Sequence, residues 1–384
     1  MIDINEFNNY ECTGCHACSE ICPKKCITMT ADKEGFLYPV VDKEKCIGCN
    51  LCEKVCPVIS KNETNNNPIA FAAWNKDEAI RAKSSSGGVF TELAQYVIGH
   101  GGTVFGAAVN DNIKVEHIGI SNIEDLGKLR GSKYVQSRIG NTYSKAKSLL
   151  EKGEYVLFSG TPCQIEGLLK YLGHDYDTLI TQDIICHGVP SPLVLSKYLE
   201  FRQKKLKSKI KNIQFRNKTY GWKNYAFNIE LEDGTNDIQK GNENLYINCF
   251  LTDMCLRPSC YNCNFKSDIR PSDFTLADFW GIENIIPNID DDKGISLVFA
   301  NSDKSKRIFN EIKDALIYKQ VDSKAPIKYN QSMVVSTTKH KNRDLFMKTI
   351  QKRSFKKALD EAWEVPSLPV RAVMKMKNIM KRFI

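Results

Sequence analysis

The chain has 384 residues, 42% hydrophobic and 26% charged, with a net charge of +9. That length accommodates a real core and two or three domains, and the balance excludes a disordered or fibrous protein. No uninterrupted apolar run is long enough to span a bilayer. Asp3, Asn5 and Glu6 interrupt the place where a signal peptide's apolar region would lie. Fifteen cysteines in such a chain point to a reducing, cytoplasmic setting and to metal rather than disulfides.

The first predicted element is a pair of cysteine runs. Cys12, Cys15, Cys18 and Cys22 read C-x2-C-x2-C-x3-C and are followed by Pro23; Cys46, Cys49, Cys52 and Cys56 repeat the spacing before Pro57. This is the two-cluster ferredoxin pattern, in which the fourth cysteine of each run ligates the other run's cluster. Cys12, Cys15, Cys18 and Cys56 are expected to hold one [4Fe–4S] cluster, and Cys46, Cys49, Cys52 and Cys22 the second. Gly14 and Gly48 would let the backbone pass close to the cluster. Zinc needs only four ligands in two C-x2-C pairs, and a disulfide framework belongs to short secreted chains. Residues 1–60 carry nine acids and six bases, so the module is acidic and the remainder has a net charge of +12. That asymmetry fits docking of the module on the body, an acidic partner, or two solvated surfaces.

Between the runs, Glu34–Val41 reads as a hairpin packed over the clusters, and Cys26 as a buried spectator. The polar stretch from Lys61 to Pro68 reads as a linker. Ile69–Trp74 is a short apolar strand, followed by a Ser/Gly turn, Ser84 to Gly88, that enters a helix with Val89, Phe90, Leu93, Ala94 and Val97 on one face. Such a turn is either an anion site or an ordinary helix cap. Gly101–Val109 reads as a buried strand. Arg130–Ser137 is rich in phosphate-capable donors, or is a surface loop. Tyr155–Phe158 and Thr178–Ile185 are apolar strands that end at Cys163 and Cys186-His187, where α/β sheets place ligand sites. The basic stretch Lys204–Lys218 suits an anionic cofactor tail, an acidic partner or a solvated face. Gly221–Leu231 alternates as a strand.

Six further cysteines lie in this body, with Cys260 and Cys263 as a C-x2-C pair. By spacing alone, a third four-cysteine site and isolated buried thiols both remain open. With the SSSGGVFT turn, SGTPCQ, IICHG and LRPSCYNC…DFTLADFWG in order, the chain resembles the coenzyme F-420 hydrogenase/dehydrogenase beta-subunit family, with a ferredoxin module fused in front. The resemblance implies that Cys163, Cys186, Cys260 and Cys263 ligate a third [4Fe–4S] cluster, with Cys255 as the substitute candidate. It also implies that Ser85, Ser86, Gly87 and Gly88, together with Lys133, Tyr134, Gln136 and Ser137, contact FAD.

The expected architecture is an α+β ferredoxin-like two-cluster module, residues 1–60, followed by an α/β flavin- and cluster-binding body. A linker spans 61–69, the two body parts span 70–150 and 151–340, and a helical tail spans 341–384. The expected function is an iron–sulfur flavoprotein oxidoreductase. It would take electrons from a ferredoxin or another redox protein and pass them through FAD to a two-electron small-molecule acceptor, in surface-polysaccharide metabolism by likeness of architecture. The alternatives are an electron-transfer subunit without its own substrate site, or a coenzyme F-420 reductase subunit. His187 reads either as a proton donor near the flavin or as a structural loop residue. No nucleic-acid signature is present. The basic amphipathic tail from Val370 either packs on the core or makes a peripheral contact at the inner membrane face.

Overall fold

The computed structural model describes residues 11–60 and 64–363. The tail helix expected from Val370, and part of the expected linker, lie outside the described residues.

The module's 34-residue repeat is visible in its backbone. Gly14 and Gly48 both have φ +68°, and His16 and Asn50, at the matching positions, are also left-handed, at 69° and 57°. Each run therefore turns in the same way before entering a short helix, Ala17–Ile21 in the first and Leu51–Lys54 in the second. Between them lies the antiparallel hairpin β1 (Ile27–Ala31) and β2 (Leu37–Val41), in register from Ile27 opposite Val41. The hairpin does more than cover the cysteines. Ile27, Met29 and Val41 pack beside the cysteine sulfurs, whereas Phe36 and Tyr38 are buried in the body's hydrophobic core.

The body is built on one eight-stranded mixed sheet. Its strands are β3 (Ile69–Asn75), β4 (Thr103–Val109), β5 (Val115–Ile120), β6 (Val156–Gly160) and β7 (Leu179–Ile184). A three-stranded antiparallel sheet follows in sequence, β8 (Ile210–Asn217), β9 (Ala226–Leu231) and β10 (Asn236–Lys240). β11 (Phe274–Asp278), β12 (Ser296–Ala300) and β13 (Leu316–Val321) then return to the large sheet, whose order is β13-β3-β12-β11-β7-β6-β4-β5. β4, β6, β7 and β11 run parallel; the remaining pairs are antiparallel. The sequence separates 70–150 from 151–340, but the sheet joins them: β3 inserts between β12 and β13, with Phe71 stacked on Phe309 at 4.1 Å. Burying both faces of one sheet requires strands from both stretches.

Helices Val89–Gly99 and Asp303–Ile312 cover one region of this sheet. Thr142–Leu150 and Pro162–Leu172 cover another, and Cys15, Ala17 and Val55 of the module join that same core. The small sheet packs with helices Pro192–Leu206, Leu245–Leu251, Arg343–Ile350 and Phe355–Ala362. The module is thus docked into the body rather than tethered to it. Arg343 makes a two-pronged ion pair with Glu34, at 3.2 and 2.6 Å. Glu20 accepts from the backbone N–H groups of Tyr143 and Ser144 at the start of a helix, where a carboxylate is favoured. No helix among the described residues is long and apolar enough to cross a membrane.

Candidate metal centres

Cys22, Cys46, Cys49 and Cys52 line one cavity, as the crossed-ligand pattern requires. Cys26 lines it too, with its sulfur 3.4 Å from that of Cys22. It is therefore a neighbour of the second site and not a remote spectator. Burial would raise the Cys22 thiol, but donors from Cys26, Lys24 and Lys25 outweigh it and hold the thiol below its usual range. In the first site, burial raises the Cys15 thiol most, and the charges of Cys56 and Cys12 raise it further. Cys18 is likewise raised by burial and then by Cys15, Cys12 and Cys56. Cys56 therefore stands with the first run, across the repeat.

The four body cysteines converge from three segments. Cys163 is in the first turn of helix Pro162–Leu172, which Thr161 and Gln164 cap reciprocally directly after β6. Cys186 follows β7, and Cys260 and Cys263 lie on and just after a short 3-10 turn, Pro258–Asn262. All four line a single cavity, together with Thr13 of the module. Cys255 and Cys249 do not; both are fully buried in the hydrophobic core, so Cys255 is no substitute. Burial above all, with the neighbouring thiols adding to it, pushes Cys163, Cys186 and Cys260 up to about 12. Thr161, Lys266 and the Val189 N–H oppose that shift at Cys163, Cys186 and Cys260 respectively. Such thiols become thiolates only when a cationic centre replaces their protons. Among the described residues, no three His, Cys, Asp or Glu side chains converge on a point that a single metal ion could occupy. Thiols around a cavity suit a multi-atom cluster better than a lone zinc ion.

Two cations, Arg257 buried and Lys266 partly buried, complete this site. Arg257 is fully buried and lines the cavity. It donates to the carbonyl oxygens of Cys12 (2.7 Å) and Leu37 (3.0 Å) and to Gln136 Oε1 (3.1 Å), and its guanidinium lies 4.1 Å from the Tyr38 ring centre. Lys266 donates to the carbonyls of Cys186 and Ser332. Among the described residues the hydrogen bonds of both run to neutral acceptors, and an anionic four-thiolate group in the cavity would add counter-charge. A third cation on the cavity wall, Arg270, is paired with Asp183 at 3.2 Å. The sequence reading missed Arg257 and Lys266; the only local signal was an arginine and a lysine inside the cysteine-rich stretch.

The three sites are adjacent. Cys18 and Cys52 pack in one hydrophobic cluster. A Cβ placed on Gly167 would lie 3.1 Å from the Cys15 sulfur, so the first site packs directly on the helix that carries Cys163. Cys49 is exposed, whereas Cys15 and Cys18 are buried.

The expected flavin residues fall on two stretches that touch where Ser85 meets Ser132, and several of them are engaged by neighbouring groups. Gly87 is packed so closely that a Cβ there would lie 2.4 Å from the Ala73 carbonyl oxygen, and its N–H donates to Ser296 Oγ at 3.0 Å. Ser86 Oγ donates to the Ile295 carbonyl, and Ser85 Oγ accepts from the Ser132 N–H at 2.7 Å. Gly88, at φ +93°, starts helix Val89–Gly99. Lys133 is engaged within its own turn. It donates to the carbonyls of Lys128, Leu129 and Arg130 at 2.8–3.0 Å, closing the end of a 3-10 turn. Gln136 holds the module, meeting Arg257 and Thr13. Ser137 Oγ lies 2.7 Å from His117 Nδ1. Tyr134 stacks on Phe250 at 4.8 Å.

Tyr134 belongs to a different arrangement. Ile184, the last residue of central β7, is 41% exposed, so the sheet opens to solvent at its carboxyl edge. Nearby, Arg216 is paired with Asp278 at the end of β11, which also accepts from Trp222 Nε1 at 2.8 Å. Trp222 and Trp280 stack at 4.9 Å, Arg216 lies against Trp280 and Tyr225, and Arg216 donates to Tyr134 Oη at 3.5 Å. His187 meets Phe250 edge-on and is tied to Asp253 at 2.7 Å, which fits its structural reading. The basic stretch splits: Lys204, Lys205, Lys207 and Lys209 are exposed, whereas Arg216 is turned inward. Lys218 is partly buried and donates to the Ser86 carbonyl at 2.7 Å.

Comparison with known proteins follows this division. Residues 11–59 match the 4Fe-4S dicluster domain. A search of curated proteins gave no match. A similar solved structure is that of the F420-reducing [NiFe] hydrogenase complex from Methanosarcina barkeri, studied by xenon derivatization. The match has 18% identity and a TM-score of 0.45, covering 70% of this chain and 90% of that one. Residues 70–142 match the N-terminal part, and residues 153–324 the C-terminal part, of the coenzyme F420 hydrogenase/dehydrogenase beta subunit. The chain belongs to the coenzyme F420 hydrogenase/dehydrogenase beta-subunit family and carries a 4Fe–4S dicluster domain at its front.

Proposed function

We propose that this chain is an iron–sulfur electron-transfer subunit with three [4Fe–4S] clusters in line. Cys46, Cys49, Cys52 and Cys22 hold the outer one. Cys12, Cys15, Cys18 and Cys56 hold the middle one, and Cys163, Cys186, Cys260 and Cys263 the inner one. The observation that carries this is the single cavity lined by the four body cysteines and by Thr13, next to Cys12. Such clusters supply one-electron chemistry. The protein's own part is positional. Arg257 fixes the module against the body, Arg257 and Lys266 offset the charge of four thiolates, and the buried hairpin face keeps water from the joint. The family match favours this reading over a self-contained flavoenzyme. Anaerobic reconstitution followed by iron analysis tests it: about twelve iron atoms per chain, four per cubane, against about eight if the body site holds none.

A second reading adds FAD, coenzyme F-420 or another two-electron carrier. It is favoured by the exposed Ile184 at the carboxyl end of β7, beside β11, where Asp278 pairs with Arg216 and Arg216 lies against Trp280. The Ser/Gly turn supports it less, because its groups are held by neighbouring strands. We expect cluster-replete protein to bind FAD saturably and Trp280→Ala to weaken that binding at least tenfold. Absence of binding in the unaltered protein removes the flavin reading and leaves the cluster relay. No observation favours a role in surface-polysaccharide metabolism.

A further inference from the structure

The two cysteine sites of the module face different surroundings. At the first, a Cβ on Gly14 would lie 2.6 Å from Gln136 Nε2 and 3.0 Å from Arg257 Nη1, so the body covers it. At the matching Gly48, such a Cβ would meet no atom of the described residues within 4 Å beyond its chain neighbours. Around that open edge Ile47 is 60% exposed, and Gly48, Cys49 and Asn50 are exposed as well. The module's charges are sorted in the same sense. Of its acids, Glu34 and Glu20 are bound to the body. Lys24, Lys25 and Lys45 are exposed beside Cys22, Cys26 and Cys46 at the open end. The acids there are Asp42, paired with Lys45 at 2.7 Å, Glu44, and Glu53 beside Cys52. A module that is acidic by composition therefore presents a lysine-rich outer end.

We propose that this end, with Ile47 at its centre and Lys24, Lys25 and Lys45 around it, is the docking face for a small acidic redox protein of the ferredoxin type. The proposal rests on the cluster reading above and names the partner that reading leaves open. An exposed apolar centre with a charged rim is the anatomy of a transient interface. Opposite charge on the two partners orients the encounter and raises its rate. The exposed Cys49 puts the outer cluster at the contact. The exchange is one electron: the partner's reduced centre loses it and the outer cluster gains it, with no bond made and no proton moved.

The test is stopped-flow reduction of the full, cluster-replete chain by a reduced, acidic [2Fe–2S] ferredoxin. In the unaltered protein the second-order rate should fall steeply as salt rises. Lys25→Glu/Lys45→Glu, neither of which lines the cavity, should slow it by about tenfold or more at low salt. Reduction of the double variant by dithionite should be unchanged, with iron still near twelve atoms per chain. A rate indifferent both to salt and to the charge reversal overturns the docking face while leaving the clusters standing. An unaltered protein that lacks the outer cluster's signal overturns the cluster reading, and the docking face with it. Should the double variant fail to hold its clusters, the salt dependence of the unaltered protein decides alone.

Discussion

Arg257→Met should loosen the joint between the module and the body and lower stability on the order of 3 kcal/mol. The reasoning is local. Methionine keeps much of the apolar bulk beneath Tyr38 but donates nothing. The carbonyls of Cys12 and Leu37 and the Gln136 amide oxygen then lose a charged donor in a place without water. Urea unfolding should show a lower midpoint, and limited proteolysis should cut faster between residues 60 and 70. An unchanged midpoint with unchanged proteolysis would mean that Glu34–Arg343 and the buried Phe36 and Tyr38 hold the module without Arg257.

The second large effect is on metal content. Cys260→Ser should remove about a third of the iron, because its sulfur is one of four around the body cavity. The module's two clusters should keep their spectra, since their ligands lie on other segments. Cys255→Ser should remove none, because Cys255 sits in the apolar core and lines no part of that cavity. Equal iron loss from the two variants would show that the loss came from general unfolding.

The contrast between those cysteines marks what the sequence makes legible. The module could be read outright, because its eight ligands lie at short, fixed spacings and the repeat reappears as matched left-handed turns at Gly14 and Gly48. Strands β4, β6 and β7 were legible as short apolar runs. The place of β3 was not, because its partners β12 and β13 are more than two hundred residues away. The body site was open by spacing alone; the resemblance supplied its four cysteines, and folding brings them to one cavity. Arg257 was invisible for the same reason as β3: its acceptors at Cys12 and Leu37 are 245 and 220 residues away. Lys133 shows a different limit. Its neighbourhood was rich in donors, but composition does not say where a donor points, and the three carbonyls that end its own turn were nearest.

The most direct test of the central claim is an anaerobic reductive titration of the reconstituted, unaltered chain, followed by electron paramagnetic resonance and iron analysis. Three clusters in line predict three one-electron equivalents taken up per chain and about twelve iron atoms. The spectra should broaden as neighbouring reduced clusters interact, because Cys18 packs in one hydrophobic cluster with Cys52 and Cys15 packs on the helix that carries Cys163. Uptake of two electrons, with about eight iron atoms and no third signal, would contradict the account.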